Sequence, residues 1–379
     1  MVVERGDGVA RGEVGGPREH RLHANVGSGG VLRVALLDAH SLTPHLDAAS
    51  RANVDVLRAL GALGHHARFF HALEPTDHVV AAVTDFEPDL VVLSRTTATI
   101  AVSGALRDLR CPQIYLGHEL AQLRLAAEHE VRGGSPLQAR VMAAVERRCW
   151  ELTDLWLYPD EHEASFVTQA MGREGAHFFP YFFFGDEPVA PLRQRTPWSL
   201  VFVGPGASAQ NIDAIEWFVS SVVPTLMARH PEAGLTIVGQ WGEDDVVRLS
   251  RPGVHFAGVV DEDELSQVLA TSSVAIAPLR FGSGVKRKVL QYLSAGIPAV
   301  VSAPAAAGIS WSDQRPPFLI ADEPDSWLAA LELVATEPQV RQDLVDAGRE
   351  VVTSTYSATG FEARLRDILH LAFITPHAS

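Results

Sequence analysis

Short apolar runs alternate with segments of helical periodicity from about residue 31 onward, and this alternation limits the fold more than any other feature. It predicts parallel α/β layers. The predicted strands are Val31–Leu37, Asp89–Ser94, Gln113–Gly117, Leu155–Tyr158, Ser199–Val203, Leu235–Val238, Val274–Ala277 and Ala299–Ser302. The predicted helices are Ala48–Leu63, Asn211–Arg229, Glu262–Ala270 and Val285–Ala295. The series runs twice, on either side of a proline-rich link at Pro188–Pro197, and predicts two similar doubly wound halves.

The predicted organisation has four parts. Residues 1–30 are rich in glycine and charge and lack an apolar signal core, so we expect a disordered leader. Residues 31–187 form a first Rossmann-like half and residues 188–355 a second. The remainder, 356–379, contains an amphipathic helix at Ser357–Phe373. Its apolar stripe predicts packing on a core, and packing back on the first half is one interpretation that spacing alone leaves open.

Composition excludes several classes of function. The 379-residue chain has a formal net charge of −15, which argues against nucleic acid or anionic lipid as a partner and suits a neutral or cationic small molecule. Cys111 and Cys149 are too few for a disulfide framework, and no apolar run reaches the roughly 18–20 residues of a membrane span. We expect a soluble cytoplasmic protein. The oligomeric state is not fixed, and a homodimer is compatible with the sequence.

The only two lysines of the chain, Lys286 and Lys288, lie within three positions of each other. They follow Gly282, Ser283 and Gly284, between a predicted strand and a predicted helix. Such a loop directs free backbone N–H groups and the positive end of a helix dipole into one concavity. Cations in a first helical turn are disfavoured by about 0.3–1 kcal/mol unless an anion lies there. The stretch therefore predicts a diphosphate site.

The two lysines point to different sides of a helix, so they are not equivalent phosphate ligands. Lys288 shares a face with Gln291, three residues on, whereas Val285, Val289 and Leu293 mark the buried side. We therefore expect Lys288 to contact a phosphate and Gln291 to contact the sugar of a nucleotide, with Lys286 as the weaker candidate. The alternative is an ordinary solvated basic turn.

Gly204 and Gly206 belong to a G-x-G-x-x-A pattern directly after a strand, which raises the alternative of a nicotinamide or flavin dinucleotide. That interpretation requires an acid at the end of the next strand to hold a ribose. The next strand continues as Leu235–Gln240 and contains no carboxylate. A dehydrogenase is therefore disfavoured, although the loop is still placed where a ligand would be met.

Two further groups of polar residues have competing interpretations. Asp261–Glu264 could form a divalent-metal cluster, but the run more often starts a helix, with Asp261 as cap and Glu264 completing a capping box. His118 and Glu119 follow a strand end. No second histidine follows at the spacing of a zinc protease, and a ligand contact and an ordinary loop position are both open for His118.

With these residues in place, the second half resembles the donor domain of the group 1, family 4-like retaining glycosyltransferases, which have the GT-B fold of two Rossmann-like domains facing across a cleft. The most specific stretch is GSGVKRKVLQYLSAGIPAVVS, which ends at Ser302. Supporting stretches are Phe202–Gly204, Asn211–Ala214, Leu235–Gly239, Phe256–Val260 and Ala277–Leu279. The first half is similar more loosely, through Asp47–Ser50, Leu93–Arg95 and Gly117–Leu120.

The resemblance implies roles for particular residues. Lys288, the backbone of Gly282–Gly284 and Lys286 would neutralise the leaving diphosphate, beside Gly204 and Gly206, and His118 would orient the reacting sugar. The acceptor side would include Asp47, Ser50 and Glu119. The family commonly has a glutamate at the position of Gln291 and in many members another at that of Ser283, so both positions depart from its pattern.

The implied activity is retaining transfer of a hexose from a nucleotide-diphosphate sugar to a small soluble acceptor, in natural-product or saccharide biosynthesis. The departing phosphate itself would take the acceptor proton, so the expected enzyme needs no metal and no cofactor beyond its sugar nucleotide substrate. Two alternatives are a sugar-nucleotide isomerase and a non-catalytic protein that binds a sugar nucleotide or supports another transferase.

Overall fold

The structure, a computed structural model, describes residues 30–43, 48–184, 195–311 and 315–374. Residues 1–29 of the predicted leader, Asp47, and the boundary of the two halves at 187/188 lie outside the described residues. Two parallel sheets of six strands, each flanked by helices, make up the described chain. The α/β class and the GT-B architecture are confirmed.

The first sheet has the strand order β2-β1-β3-β4-β5-β6, all parallel. Its strands are β1 (Arg33–Asp38), β2 (His66–His71), β3 (Leu90–Ser94), β4 (Gln113–Leu116), β5 (Leu155–Tyr158) and β6 (Ala176–Phe178). Its helices are α1 (Ala48–Ala62), α2 (Thr76–Asp85), α3 (Arg95–Val102), α4 (Ala121–Arg132), α5 (Leu137–Leu152) and α6 (Glu161–Met171). Alternate residues of β1 enter different core clusters, because helices cover both faces of the sheet.

The second sheet has the strand order β12-β11-β10-β7-β8-β9. Its strands are β7 (Thr196–Val203), β8 (Gly234–Val238), β9 (Val254–Gly258), β10 (Ser272–Ala277), β11 (Ala299–Val301) and β12 (Leu319–Ile320). The remaining helices are α7 (Ala209–Ser221), α8 (Val223–Arg229), α9 (Glu243–Leu249), α10 (Glu262–Thr271), α11 (Arg287–Ser294), α12 (Ala303–Ala306), α13 (Pro324–Thr336), α14 (Pro338–Thr355) and α15 (Ala358–Ile374). No helix of the described residues is both long and apolar enough to cross a membrane.

The last helix, α15, lies against the first half. Leu365, Ile368 and Leu369 belong to one core cluster with β1 and α1, and they line a small apolar cavity there of about 20 Å³ together with Val34 and Val56. The apolar stripe read from the sequence is the buried face of α15. The helix therefore covers a sheet that the chain left many residues earlier.

Local chemistry determines the observed bounds of three predicted helices. The predicted helix 211–229 is two helices, α7 and α8, because Pro224 has no N–H to donate and its ring would clash with the preceding turn. Helix α11 begins at Arg287, two residues later than predicted, with Lys286 in an extended conformation before it. The capping box at Asp261 and Glu264 is confirmed at the start of α10.

Candidate functional site

The candidate site lies at the topological switch point of the second sheet, where the strand order reverses between β7 and β10. Strands β7 and β10 are neighbours in the sheet, yet β8 and β9 extend from one and β11 and β12 from the other. The loops that follow β7 and β10 leave their carboxyl ends in opposite directions and open a crevice between them. These loops carry Gly204, Gly206 and Gly282–Gly284, and α11 follows with Lys288 in its first turn.

Lys288 is the cation at this crevice. Its Nζ donates a 2.6 Å hydrogen bond to Oδ1 of Asn211 and lies 4.0 Å from the ring centroid of Phe202. Within the described part of the chain, no carboxylate forms an ion pair with it. Burial, and secondarily the charge of Lys286, hold the pKa of Lys288 well below its usual value. A partly buried ammonium that lacks a counter-charge favours binding of an anion, which would restore its pKa.

The loop after β7 is packed tightly around this ammonium. A Cβ on Gly204 would lie 2.7 Å from Nζ of Lys288 and 2.8 Å from Nδ2 of Asn211, so a side chain would displace the lysine. Asn211 fixes the same loop by donating from Nδ2 to the Pro205 carbonyl at 2.9 Å. Gly206 packs on Trp241, whose indole donates to the Gly204 carbonyl at 2.9 Å. The loop is therefore preorganised from both sides.

The loop after β10 meets the first half. Ser283 Oγ donates to the Leu120 carbonyl at 2.9 Å and lies 3.4 Å from Oε2 of Glu119. Gly284 has a φ of +65°, and a Cβ there would lie 3.2 Å from both Cβ of Glu119 and the His118 carbonyl oxygen. Only glycine suits this combination of backbone conformation and close approach. The glycine turn thus forms part of the contact between the halves.

Lys286 and Lys288 are used differently. The ammonium of Lys286 is buried and donates to the carbonyls of Ser283 and Gly284 at 2.6 and 2.7 Å. Burial lowers the pKa of Lys286, while the carboxylates of Glu119, Glu163 and Asp160 oppose that shift. The structure therefore places this lysine under the glycine turn, where it stabilises the turn's shape, and it does not bring the two ammonium groups together.

Gln291 lies one turn after Lys288 on α11 and is partly exposed. The buried residues of this helix are Val289, Leu290, Tyr292 and Leu293. The spacing that sets Lys288 and Gln291 on one face is thus present, since both side chains stay outside the buried set. Gln291 is available to a ligand that reaches beyond Lys288.

On the first half, the carboxyl end of the sheet presents His118 and Glu119 after β4. His118 Nε2 lies 2.8 Å from Oγ of Ser94, and its ring packs edge-on against Tyr181. Glu119 accepts a 2.7 Å hydrogen bond from Nε of Arg124. The glycine turn of the second half meets this loop at the His118 carbonyl oxygen and at Cβ of Glu119, the atoms nearest to Gly284.

Ser50, predicted for the acceptor side, contacts the loop after β1. It is fully buried on α1, and its hydroxyl donates to the Ser41 carbonyl at 3.2 Å, so it braces the loop after β1. Asp47, its predicted companion on the acceptor side, is outside the described residues.

Two buried carboxyl groups support the loop that carries His118. Glu163 accepts from the Leu120 N–H at 2.9 Å, and Glu146 accepts from the Ala121 N–H at 2.7 Å. Both groups lie at the amino end of α4, where negative charge is favoured. Burial nevertheless dominates, raising the pKa of Glu163 to about 8 and that of Glu146 to about 7.

Sequence reasoning missed three residues that organise the site: Asn211, Asp38 and Ser94. Asn211 holds both Lys288 and the loop after β7, and Asp38 and Ser94 end adjacent strands below His118. Their positions in the sequence could have indicated them, because polar side chains at the carboxyl ends of neighbouring parallel strands meet at the crevice.

Residues 197–337, from β7 to just beyond α13, match the family model described as glycosyl transferases group 1. No curated protein sequence matches the chain significantly. The match includes the Gly204 loop, the glycine turn and Lys288, and leaves out the half that carries His118.

Solved structures share the fold across both halves. Sucrose-phosphate synthase from Thermosynechococcus elongatus has a TM-score of 0.69 at 14% identity, covering 90% of this chain and 99% of that chain. HepE from Anabaena in complex with UDP-glucose has a TM-score of 0.63 at 15% identity, covering 89% of this chain and 99% of that chain. The pneumococcal O-GlcNAc transferase GtfA in complex with UDP and GlcNAc has a TM-score of 0.56 at 14% identity, covering 79% and 60%.

Proposed function

We propose that this chain, whose residues 197–337 match the family model described as glycosyl transferases group 1, is a retaining glycosyltransferase that moves a hexose from a nucleotide-diphosphate sugar to a small soluble acceptor. The observation that carries the proposal is the ammonium of Lys288. It is held by a neutral amide between two glycine loops and at the start of a helix, without a carboxylate partner in the described residues. This environment suits the diphosphate of a sugar nucleotide.

The transfer depends mainly on positioning the two substrates and on stabilising the charge of the leaving diphosphate. The bond between the anomeric carbon and the diphosphate oxygen breaks, and a new bond from the acceptor hydroxyl forms on the same face. The acceptor proton passes to the departing phosphate oxygen. Lys288 and the first-turn N–H groups of α11 would stabilise the negative charge that grows there, which is where electrostatic catalysis contributes most. Gln291 would hydrogen-bond the nucleotide sugar, and His118 would orient the hexose.

The net charge and the structural relatives support the proposed donor and acceptor. HepE was crystallised with UDP-glucose and GtfA with UDP, so UDP-sugars are the first donors to test. The net charge of −15 favours a neutral or cationic acceptor, such as an amino-sugar or cyclitol, over an anionic one. We place this reaction in the cytoplasm and expect it to proceed without a metal ion.

The test compares Lys288→Ala with Arg349→Ala, which removes one positive charge from the exposed surface of α14. A panel of UDP-, dTDP- and GDP-sugars is first ranked by thermal stabilisation, which reports binding to the folded form. For the best donor, Lys288→Ala should weaken binding by at least about tenfold, or 1.4 kcal/mol, and Arg349→Ala should not. Equal donor affinity and donor hydrolysis in both variants would overturn the site assignment.

A non-catalytic sugar-nucleotide-binding protein is the second candidate, because neutral residues stand at two positions where the family commonly has glutamates. Ser283 directs its hydroxyl to the Leu120 carbonyl, and Gln291 is an amide. Gln291→Glu separates the candidates. A transferase whose amide suits its own donor should lose activity in this variant, whereas a large gain in turnover would support the second candidate.

A further inference from the structure

Three side chains form a hydrogen-bonded line at the switch point of the first sheet. Asp38 ends β1 and Ser94 ends β3, and the two residues are register partners on these adjacent strands. The Ser94 hydroxyl lies 3.3 Å from Oδ2 of Asp38 and 2.8 Å from Nε2 of His118. Asp38 and Ser94 are fully buried, so the line runs from the interior toward the cleft.

The single proton of the Ser94 hydroxyl determines the direction of this line. Asp38 is the centre of a set of donors: Asn53 donates to Oδ2 at 2.7 Å, and Nε of Arg95 lies 3.2 Å from the same oxygen. A carboxylate in such a set can only accept. The hydroxyl therefore donates to Asp38, and its oxygen can only accept from His118. Nε2 of His118 must then carry a proton.

We propose that Asp38 and Ser94 are positioning residues that hold His118 in the tautomer protonated on Nε2, with Nδ1 as the basic nitrogen. The hydrogen bond to Ser94 fixes one end of the ring. Its edge-on packing against Tyr181, with ring centroids 5.1 Å apart, restricts its rotation. Tyr181 is itself anchored, because its hydroxyl donates to the Gly117 carbonyl at 3.1 Å.

The backbone next to Ser94 supports this assignment. Arg95 has a φ of +70°, a left-handed conformation that non-glycine residues rarely adopt. Strained backbone of this kind persists where the surrounding structure fixes it, and it is concentrated at functional sites. Here it turns the chain at the end of β3 so that the Arg95 guanidinium pairs with Asp38 while Ser94 faces His118.

The consequence for catalysis rests on the proposed function. A histidine that orients a sugar must keep its ring in one rotamer and one tautomer, since a rotated ring or the other tautomer would exchange an acceptor for a donor. Loss of the hydroxyl should therefore act on turnover. It should leave nucleotide affinity unchanged, because the predicted diphosphate contacts are on the second half.

The test uses the full chain labelled with ¹⁵N-histidine, with the His118 signals assigned from their loss in His118→Gln. The wild type should show a ring proton on Nε2, protected from solvent exchange. In Ser94→Ala this proton should exchange too fast to be seen. In Asp38→Asn it should persist, because the amide oxygen can still accept from Ser94, whereas Asp38→Ala removes that acceptor, frees the hydroxyl to donate to Nε2 and should move the ring proton to Nδ1. A wild-type ring protonated on Nδ1 would overturn the proposal, since Ser94 would then be the donor to His118.

Kinetics provide the second measurement. Ser94→Ala should lower kcat by roughly 10- to 100-fold with UDP affinity within twofold of wild type, the expected result for a displaced orienting group. Unchanged kcat would overturn the catalytic part of the proposal. If the wild type transfers no sugar at all, the proposed function fails, while the ring-proton measurement still decides whether Asp38 and Ser94 set the tautomer.

Discussion

Lys288 donates its short hydrogen bond to Asn211, a neutral amide, where an ion pair with a carboxylate would be the usual solution for a buried ammonium. The amide accepts with Oδ1 and uses Nδ2 to hold the Pro205 carbonyl, so both of its polar atoms are occupied. The positive charge is thereby positioned without being neutralised. The favourable interaction that a carboxylate would otherwise make with this ammonium therefore remains available to an anionic ligand.

Asn211→Asp should therefore weaken nucleoside diphosphate binding by about tenfold or more. The new carboxylate would form an ion pair with Lys288, and it would also remove the donor to Pro205. Titration calorimetry with UDP at fixed salt measures the effect, because salt alone changes such affinities. Ser220→Asp, at the exposed end of the same helix, adds the same charge as a control, and equal losses in both variants would contradict the local explanation.

Gly204→Ala should lower UDP affinity while changing the free energy of unfolding by less than about 1 kcal/mol. The added methyl meets the tip of Lys288, which can swing away. Gly239→Ala should instead destabilise the fold by about 1–3 kcal/mol, since its φ is +135° and a Cβ would lie 2.5 Å from the Gly204 carbonyl oxygen. Urea unfolding and UDP titration separate the two. Gly104→Ala, which meets no atom within 4 Å, is the control.

The fold could be predicted from the sequence because its elements are locally consistent. The strand Leu155–Tyr158 has the predicted bounds, and α1 differs from prediction only at its last residue. Each is a short apolar run or an amphipathic stretch whose burial is decided by its own pattern. The break between α7 and α8 was also present in the sequence, as Pro224, and was outweighed by the continuous helical periodicity around it.

The site was less predictable, because its geometry depends on partners far apart in sequence. Lys286 and Lys288 have the same side chain and lie two residues apart. The ammonium of Lys286 nevertheless donates to backbone carbonyls of the glycine turn, whereas that of Lys288 donates to Asn211. Nothing in the spacing of Asn211 and Lys288 indicates their contact. The same holds for Asp38 and His118, which strand order alone brings to one edge of the sheet.

Arg51 and Glu262 form an ion pair between α1 of the first half and α10 of the second. Glu262 is well exposed, so the pair should contribute only about 0.2–1 kcal/mol to the contact between the halves. Arg51→Ala should lower the melting temperature more than Glu262→Ala, because Arg51 also pairs with the buried Asp55, and the double variant should lose less than the sum of the two single losses. This difference should shrink in 1 M salt, and additive losses at low salt would show that the pair contributes nothing.

Glu163 should make the protein less stable as pH rises. Burial raises the pKa of Glu163 to about 8, above its ordinary value of 4.5, so between these two values the folded protein holds a proton that the unfolded chain has lost. Because of this one proton, the free energy of unfolding falls by at most about 1.4 kcal/mol for each pH unit between the two pKa values. Above the folded-state pKa there is no further loss. Urea unfolding of Glu163→Gln at pH 6, 7, 8 and 9 should show a shallower decline than wild type. Glu161→Gln, exposed in the first turn of the same helix, should decline like wild type, and a Glu163→Gln curve parallel to wild type would mean that this carboxyl is already ionised at pH 6.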